Sequence, residues 1–278
     1  MPRFNREDIL SYIVLVTATL LIGLPFYWML ITALKPIQEI ALYPPRWLPG
    51  EIRWQNFSEV WQAVPFGRFY LNSLFTTFST CFLQLVFAGL MAYGFAFIPF
   101  PHKQVLFFLV LATMMIPEEM KIVPNYLLLE RLGWVNTYWS LIIPPAAQGF
   151  PVFVLYMWFR TLPRDLLDAA KVDGAGHWRT FWLVVVPASR PMVIVLTLFA
   201  FVNRWNDYLW TLIVTNKTVM RTLPVGLAYF KGTQEGGDHW NLLMAAALLA
   251  ILPLIILFLL LQRRIVEELP ALHITSNR

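Results

Sequence analysis

The segment Asp168-Ala169-Ala170-Lys171-Val172-Asp173-Gly174-Ala175, which runs on to Pro187, decides how this chain is organised. It lies in a polar, basic interruption between two apolar segments that are each long enough to cross a membrane. Because apolar blocks flank it on both sides, we interpret it as an exposed loop of a membrane protein. Its small residues would allow another protein to approach the loop closely.

The composition predicts a membrane protein. Of the 278 residues, 58% are hydrophobic and only 13% are charged, whereas a soluble domain carries about 25% charged residues. So few charges could not cover the surface of a soluble fold of this length. The apolar residues also form long blocks rather than short amphipathic periods. We therefore predict an all-α, polytopic membrane protein.

The charged and metal-binding residues exclude several other classes of protein. The net charge is +5, but Lys and Arg lie mostly at the edges of apolar blocks, as interfacial anchors do. We therefore expect no nucleic-acid partner. The chain has one cysteine, Cys81, and four scattered histidines, so we predict no disulfide framework, no metal site and no catalytic residues.

Six membrane spans are predicted within a single transmembrane domain, residues 1–278. The first span covers about residues 9–34, and the other five lie within about residues 71–262. The third is unusual because residues 105–116 form only about 18 Å of helix, against a membrane core of about 30 Å. We expect this helix to continue through residues 117–121, with a separate short surface helix over residues 124–134.

An even number of spans places both termini on one side of the membrane. Lys and Arg are slightly more frequent on that side, which favours cytoplasmic termini. The loop at residues 160–190 would then be cytoplasmic as well. In this loop we predict one helix that starts at Pro163, a turn at Asp173-Gly174, and a second helix that ends at Pro187. A surface helix without any partner is an alternative interpretation of the same residues.

The spacing within this loop resembles a known family, the permease subunits of binding-protein-dependent ABC importers. That family's loop reads Glu-Ala-Ala, three residues, Gly, nine residues, then Ile-x-Leu-Pro. Here Asp168-Ala169-Ala170 is followed at the same intervals by Gly174, Val184, Val186 and Pro187. The departures are Asp168 in place of Glu, Val184 in place of Ile and Val186 in place of Leu.

Other motifs are similar to the sugar-importer branch of the family, which includes maltose-type and glycerol-3-phosphate permeases. They are Trp205-Asn206-Asp207, residues 222–227 and residues 262–266. The tail at residues 267–278 departs from the Gly-rich, basic tail of many relatives.

This resemblance implies a function: the membrane-spanning permease subunit of an ATP-driven importer for a carbohydrate or related polyol, such as a sugar, an oligosaccharide or glycerol-3-phosphate. It also implies a multi-pass location in a bacterial or archaeal cell membrane. The loop at residues 160–190, hereafter the coupling loop, would dock on an ATPase. The residues to which the resemblance assigns this role are Asp168, Ala169, Ala170, Asp173, Gly174, Ala175 and Pro187.

The resemblance also implies the partners. The chain has no Gly-x4-Gly-Lys-Ser/Thr phosphate loop, so we predict a transport subunit without its own ATPase site. No cofactor is expected in this chain, because ATP and Mg would be bound by two copies of a cytoplasmic ABC ATPase. A second, homologous permease and an extracytoplasmic solute-binding protein would complete the assembly in the lipid bilayer.

Polar residues within the predicted spans suggest a translocation cavity. Charges at membrane depth are costly unless they face protein or water. The candidate residues are Glu118, Glu119, Asn203, Arg204, Asn206 and Asp207. The alternative is a structural ion pair, either Glu118–Arg204 or Arg204–Asp207, that holds spans together.

A different class of transporter is also compatible with these buried acids. An ion-gradient-driven secondary transporter could use Glu118, Glu119 or Asp207 as a proton or sodium site. Such a carrier has no need of the coupling loop, so the loop favours the importer.

Overall fold

The computed structural model of the chain describes residues 6–231 and 239–268, and the backbone within these ranges is largely helical. A π-helical turn covers Phe181–Val185, and 3₁₀ turns cover Thr218–Met220 and Ala228–Phe230. The α-helices are, in chain order, α1 (Arg6–Ala33), α2 (Ile37–Ile40), α3 (Gln55–Ala63), α4 (Phe66–Phe97), α5 (Lys103–Met114), α6 (Glu118–Arg131), α7 (Tyr138–Ala146), α8 (Gly149–Phe159), α9 (Arg164–Val172), α10 (His177–Thr180), α11 (Val186–Ala188), α12 (Arg190–Trp205), α13 (Leu209–Val214), α14 (Leu223–Leu227) and α15 (Trp240–Glu268).

The described helices provide between three and five candidate membrane spans. Leu10–Ala33, Phe66–Phe97 and Trp240–Gln262 are each long and apolar enough to cross a membrane. Two bent pairs could each count as one further span: α7 with α8, bent by 41°, and His177–Ala188 with α12, bent by 80°. Within these ranges the all-α expectation agrees with the structure, whereas the predicted number of six spans is not confirmed.

The third predicted span differs from the expectation. Helix α5 ends at Met114 and a new helix begins at Glu118, so the helix does not continue through residues 117–121. Pro117 disfavours helical backbone at the residue before it. Glu118 and Glu119 then occupy the first turn of α6, where the helix dipole favours acidic side chains. Helix α6 runs on through Pro124 to Arg131, so the separate helix predicted over residues 124–134 is wrong.

The chain divides into two compact units, of which the larger comprises Arg68–Val225 and Pro253–Arg278. In this unit α8 packs against α5 and α12, and α13 packs against α6 and α7. One buried core cluster joins α4, α8, the π-helical turn and α12; its members are Ala88, Ala92, Tyr93, Phe95, Val152, Leu155, Phe159, Phe181, Val185 and Leu196. The π-helical turn of the coupling loop is therefore built into the core of this unit.

The smaller unit comprises Met1–Gly67 and Gly226–Leu252, and a buried asparagine ties its segments together. Asn56 is 0% exposed. Its Nδ2 atom donates to the carbonyl oxygens of Ala33 at 2.8 Å and Lys35 at 2.9 Å. Its Oδ1 atom accepts a hydrogen bond from Asn241 Nδ2 at 3.1 Å. One side chain thus connects α3 to the end of α1 and to the start of α15.

Replacing Asn56 with alanine is expected to destabilise the protein by about 2–4 kcal/mol. The change leaves several buried groups without a partner, and each such group costs about 1–3 kcal/mol. A thermal melt of the detergent-solubilised protein measures the effect. The control is Ser58→Ala in the same helix, which removes only an exposed bond from Ser58 Oγ to the Gln55 carbonyl. Equal melting temperatures for the two variants would contradict the role of Asn56.

Candidate functional site

A polar cavity of about 570 Å³ lies within the larger unit. Three breaks between apolar helices contribute residues to its lining. The break before α6 places Glu118, the break between α7 and α8 places Gln148, and the break after α12 places Asp207. Broken helices are tolerated at membrane depth where they line a cavity. The cavity is therefore the place where the interruptions of the apolar helices converge.

Five of the six predicted cavity residues line this polar cavity, namely Glu118, Glu119, Asn203, Arg204 and Asp207. Asn206 is not among the lining residues. Its side chain is exposed, and its Nδ2 atom donates to the carbonyl of Val202 at 2.9 Å. Asn206 directly follows the last residue of α12, and its side chain is used to bond the backbone of that helix.

The structure adds polar residues that the sequence analysis missed. They are Thr80, Gln84, Lys121, Asn125 and Gln148. Gln84 Nε2 donates to Gln148 Oε1 at 3.0 Å, and Gln148 Nε2 donates to Glu118 Oε1 at 3.4 Å. This chain of side chains connects α4 to the start of α6. The signal in the sequence was an isolated glutamine inside a long apolar helix, which is rare unless the helix faces protein or water.

An ion pair forms one wall of the polar cavity. Arg204 Nη1 bonds Asp207 Oδ2, and the two side chains are 4% and 22% exposed. Asp207 Oδ1 also accepts from the backbone N–H of Trp210 at 3.2 Å, while Trp210 Nε1 donates to the Ser140 carbonyl at 2.9 Å. Of the two ion pairs considered from the sequence, the structure therefore forms Arg204–Asp207. This pair holds the end of α12 against the start of α13.

A second cavity, of about 630 Å³, shares Glu118, Lys121, Asn125 and Gln148 with the first. The rest of its lining is mostly apolar, with Met114, Ile116 and several leucines. We take the polar cavity as the candidate site, because it collects more groups that can hold a polar solute in place.

The coupling loop contains the helix and the turn that its sequence predicts. Helix α9 begins directly after Pro163. Gly174 has φ +73°, a backbone conformation that glycine adopts without strain. The N–H of Gly174 bonds the Lys171 carbonyl at 3.0 Å, and the N–H of Ala175 bonds the Ala170 carbonyl at 2.9 Å. These bonds close the C-terminus of α9 as a glycine C-cap does.

The exposed surface of the coupling loop differs in part from the predicted one. Asp168, Ala169, Asp173 and Gly174 are exposed, but Ala170 is only 6% exposed. Ala170 lies on the inner side of α9, which packs against the π-helical turn, so it supports the loop rather than offering a docking surface. Ala175 is partly buried.

Several large apolar side chains on the coupling loop are exposed, and two of them, next to its turn, were not predicted from the sequence. Val172 is 87% exposed and Trp178 is 64% exposed. They stand on either side of the turn at Gly174. Exposed apolar residues that cluster on one surface commonly mark an interaction site. The sequence shows their hydrophobicity but not the side of the helix on which they lie.

The sequence predicts that the second helix of the coupling loop ends at Pro187. In the structure this helix continues past Pro187. The helix runs from His177 to Ala188, and the chain then turns by 80° into α12. A proline ring collides with the carbonyl four residues earlier in an α-helix. The π-helical turn Phe181–Val185 ends two residues before Pro187, so the backbone there departs from the regular α-helical hydrogen-bond pattern.

Besides the shared core cluster, a hydrogen bond and a close ring contact hold the coupling loop against α4. Tyr93 Oη and His177 Nδ1 lie 3.1 Å apart in a hydrogen bond. Phe181 packs so closely over Gly89 that a Cβ atom there would lie 3.2 Å from the phenylalanine ring. A displacement of the loop would therefore reach α4, whose side chains Thr80 and Gln84 line the polar cavity.

Comparisons with known proteins identify the family. Residues 84–269 match the model of the family described as binding-protein-dependent transport system inner membrane component. The sn-glycerol-3-phosphate transport system permease protein UgpE of Yersinia pestis is 33% identical, and the match covers 95% of this chain and 97% of the relative. The diacetylchitobiose uptake system permease protein NgcG of Streptomyces coelicolor is 30% identical, over 94% of this chain and 87% of the relative.

Solved structures share the fold. A crystal structure of a bacterial ABC transporter involved in the import of the acidic polysaccharide alginate contains a chain that superimposes with a TM-score of 0.83. The match covers 95% of this chain and 99% of that chain, at 21% identity. The alginate transporter in complex with its alginate pentasaccharide-bound periplasmic protein gives a TM-score of 0.64 at 14% identity.

Proposed function

Because this chain belongs to the family of binding-protein-dependent transport system inner membrane components, it is a membrane permease subunit of an ABC importer, and we propose that its solute is a carbohydrate or a related polyol. A relative named for glycerol-3-phosphate matches this chain over nearly its whole length, and one named for diacetylchitobiose matches it over most of its length. Both relatives support this solute class. The chain is a transport subunit and not itself an ATPase.

The proposed topology has six spans and cytoplasmic termini in a bacterial or archaeal cell membrane. Three long helices and the bent pair of α7 and α8 account for four spans. Helices α5 and α6 would together make a fifth, with its break at Pro117, and α12 and α13 a sixth, with its break at Asp207; both breaks lie next to the polar cavity. The transport domain would then extend over the whole chain.

The coupling loop is the proposed docking site for a cytoplasmic ATPase. Asp168 and Asp173 offer exposed charge, and Val172 and Trp178 offer exposed apolar surface on both sides of a rigid turn. A short capped helix can transmit a displacement that a flexible loop would absorb. ATP and Mg would be bound by two copies of that ATPase. A second, homologous permease and an extracytoplasmic binding protein complete the proposed assembly.

The polar cavity is the proposed section of the translocation pathway in this subunit. The observation that carries the proposal is the convergence of three helix breaks on one set of polar side chains. Half-helices that meet at a cavity can tilt separately, since no continuous hydrogen-bonded helix joins them. ATPase closure, transmitted through the Tyr93–His177 contact to α4, would change the shape of this cavity.

Uptake is expected to depend on ATP and not on an ion gradient. The complex of both permeases, ATPase and binding protein in proteoliposomes should accumulate a solute that the binding protein carries when ATP is supplied to the ATPase side. An uncoupler should leave this uptake unchanged. Uptake that continues without ATP and collapses with the uncoupler would instead support the secondary transporter, with Glu118, Glu119 or Asp207 as the ion site.

A further inference from the structure

We propose that the polar cavity selects uncharged, hydroxyl-rich solutes over solutes that carry a phosphate or a carboxylate. This inference rests on the proposed function, since it assumes that the solute passes through this cavity. It narrows the solute class from carbohydrates and polyols in general to neutral ones. It also distinguishes this chain from relatives named for an anionic solute, glycerol-3-phosphate.

The charges that line the polar cavity disfavour an anionic solute. Three carboxylates, those of Glu118, Glu119 and Asp207, face two cations, Lys121 and Arg204. The formal charge of the described lining is therefore negative. An anionic solute would therefore meet net repulsion from this lining, in which Glu118 and Glu119 are exposed and Asp207 is partly buried.

The positive charge of Arg204 is not available to attract an anionic solute. The Arg204 side chain is only 4% exposed, and its Nη1 atom already bonds Asp207. Lys121 lies one turn from Glu118 in the same helix, at the spacing where opposite charges interact. The described lining thus carries one more carboxylate than cations, and one of its two cations is already paired.

The remaining polar groups match hydroxyls. The amides of Gln84, Gln148, Asn125 and Asn203 line the cavity, and an amide side chain both donates and accepts, as a hydroxyl does. Thr80 also lines the cavity, and a threonine hydroxyl can likewise both donate and accept.

The size of the polar cavity is compatible with this solute class. Its volume of about 570 Å³ lies within the range of about 300–1,000 Å³ typical of small-molecule sites. The site thus suits one or two sugar units at a time.

Matched pairs of sugars test the charge preference. The complex is reconstituted in nanodiscs with an ATPase variant that binds but cannot hydrolyse ATP, so that it stays in the nucleotide-bound state. It is then titrated with maltose, cellobiose and N,N′-diacetylchitobiose. Each is compared with its analogue in which one primary hydroxyl is oxidised to a carboxylate. In at least one pair the uncharged sugar should bind about tenfold more tightly or better, a difference of about 1.4 kcal/mol. Equal or tighter binding of the acids, or no binding of any member, would overturn the proposal.

Charge reversal within the cavity provides the second arm of the test. Glu119→Lys should shift the preference toward the acids by about tenfold. Glu130→Lys is the matched control, because Glu130 lies on the same helix, is exposed and does not line the polar cavity. The control should keep the wild-type preference. An equal shift in both variants, or no shift in Glu119→Lys, would count against the cavity as the selective site. The proposed function is tested separately, by ATP-dependent uptake in the wild-type complex.

Discussion

Replacing Gly174 with leucine is expected to lower ATP-dependent uptake by about tenfold or more while the protein still inserts into the membrane. The φ of +73° at Gly174 costs a residue with a Cβ about 1–2 kcal/mol. Apart from Gly174 itself and its two neighbours in sequence, no atom of the described chain lies within 4 Å of the position of that Cβ. The leucine side chain would therefore project outward, from the turn that we propose to dock on the ATPase. Uptake and ATP hydrolysis, measured together on the reconstituted complex, report the loss of coupling.

A second glycine separates the strain from the docking effect. Gly133 has φ +67°, and the position of its Cβ is also free within 4 Å. Gly133→Leu thus introduces a similar backbone strain outside the coupling loop, at the end of α6. Gly174→Asn adds a side chain within the coupling loop with little backbone strain, because asparagine tolerates positive φ, and this side chain is small. Both variants should retain most of the uptake. Normal uptake by Gly174→Leu, or an equal loss in Gly133→Leu, would count against the docking role.

Replacing Arg204 with glutamine is expected to destabilise the protein by about 3–5 kcal/mol. Removal of one partner from a buried ion pair leaves the other charge uncompensated. Here the remaining charge is Asp207, whose side chain is 22% exposed and whose carboxylate holds the N–H of Trp210. The junction between α12 and α13 should therefore loosen. The yield of monodisperse protein and its melting temperature in detergent measure the effect.

Two controls accompany this variant. The double variant Arg204→Gln with Asp207→Asn removes both charges and should recover most of the lost stability, since no unpaired charge remains. Arg53→Gln breaks a much more exposed pair, Arg53–Glu59, whose side chains are 39% and 37% exposed, and should cost less than about 1 kcal/mol. If Arg204→Gln were no more harmful than Arg53→Gln, the structural role of the buried pair would be contradicted.

The helices and the turn of the coupling loop follow from local rules of sequence. The long apolar blocks predicted α1, α4 and α15 because an apolar helix of that length is itself the signal. The turn at Gly174 was also predictable, since Asp-Gly after a helical pattern indicates a residue with positive φ. Glu118 and Arg204 both line the polar cavity, as expected for charged residues within apolar spans.

The remaining features depend on packing that a single segment does not encode. The break before α6 was missed because we assumed that one continuous helix must cross the membrane. Ala170 was assigned to the exposed surface, because the sequence does not show which side of α9 packs against the π-helical turn. Gln84 and Gln148 lie far apart in sequence, and their hydrogen bond appears only once α4 and the junction of α7 and α8 are brought together.

Cross-linking tests the central claim, that the coupling loop docks on the ATPase, most directly. Val172→Cys places a thiol at a residue that is 87% exposed, whereas the single native cysteine, Cys81, is buried. In membranes that contain the whole complex, a short cross-linker with one maleimide and one photoreactive diazirine should link this thiol to the ATPase subunit, since the diazirine inserts into any neighbouring residue, and the yield should change when ATP is bound. Lys217→Cys, at an exposed residue outside the coupling loop, should give no such product. The absence of an ATPase cross-link from Val172→Cys in an intact, ATP-hydrolysing complex, or an equal yield from both positions, would contradict the claim.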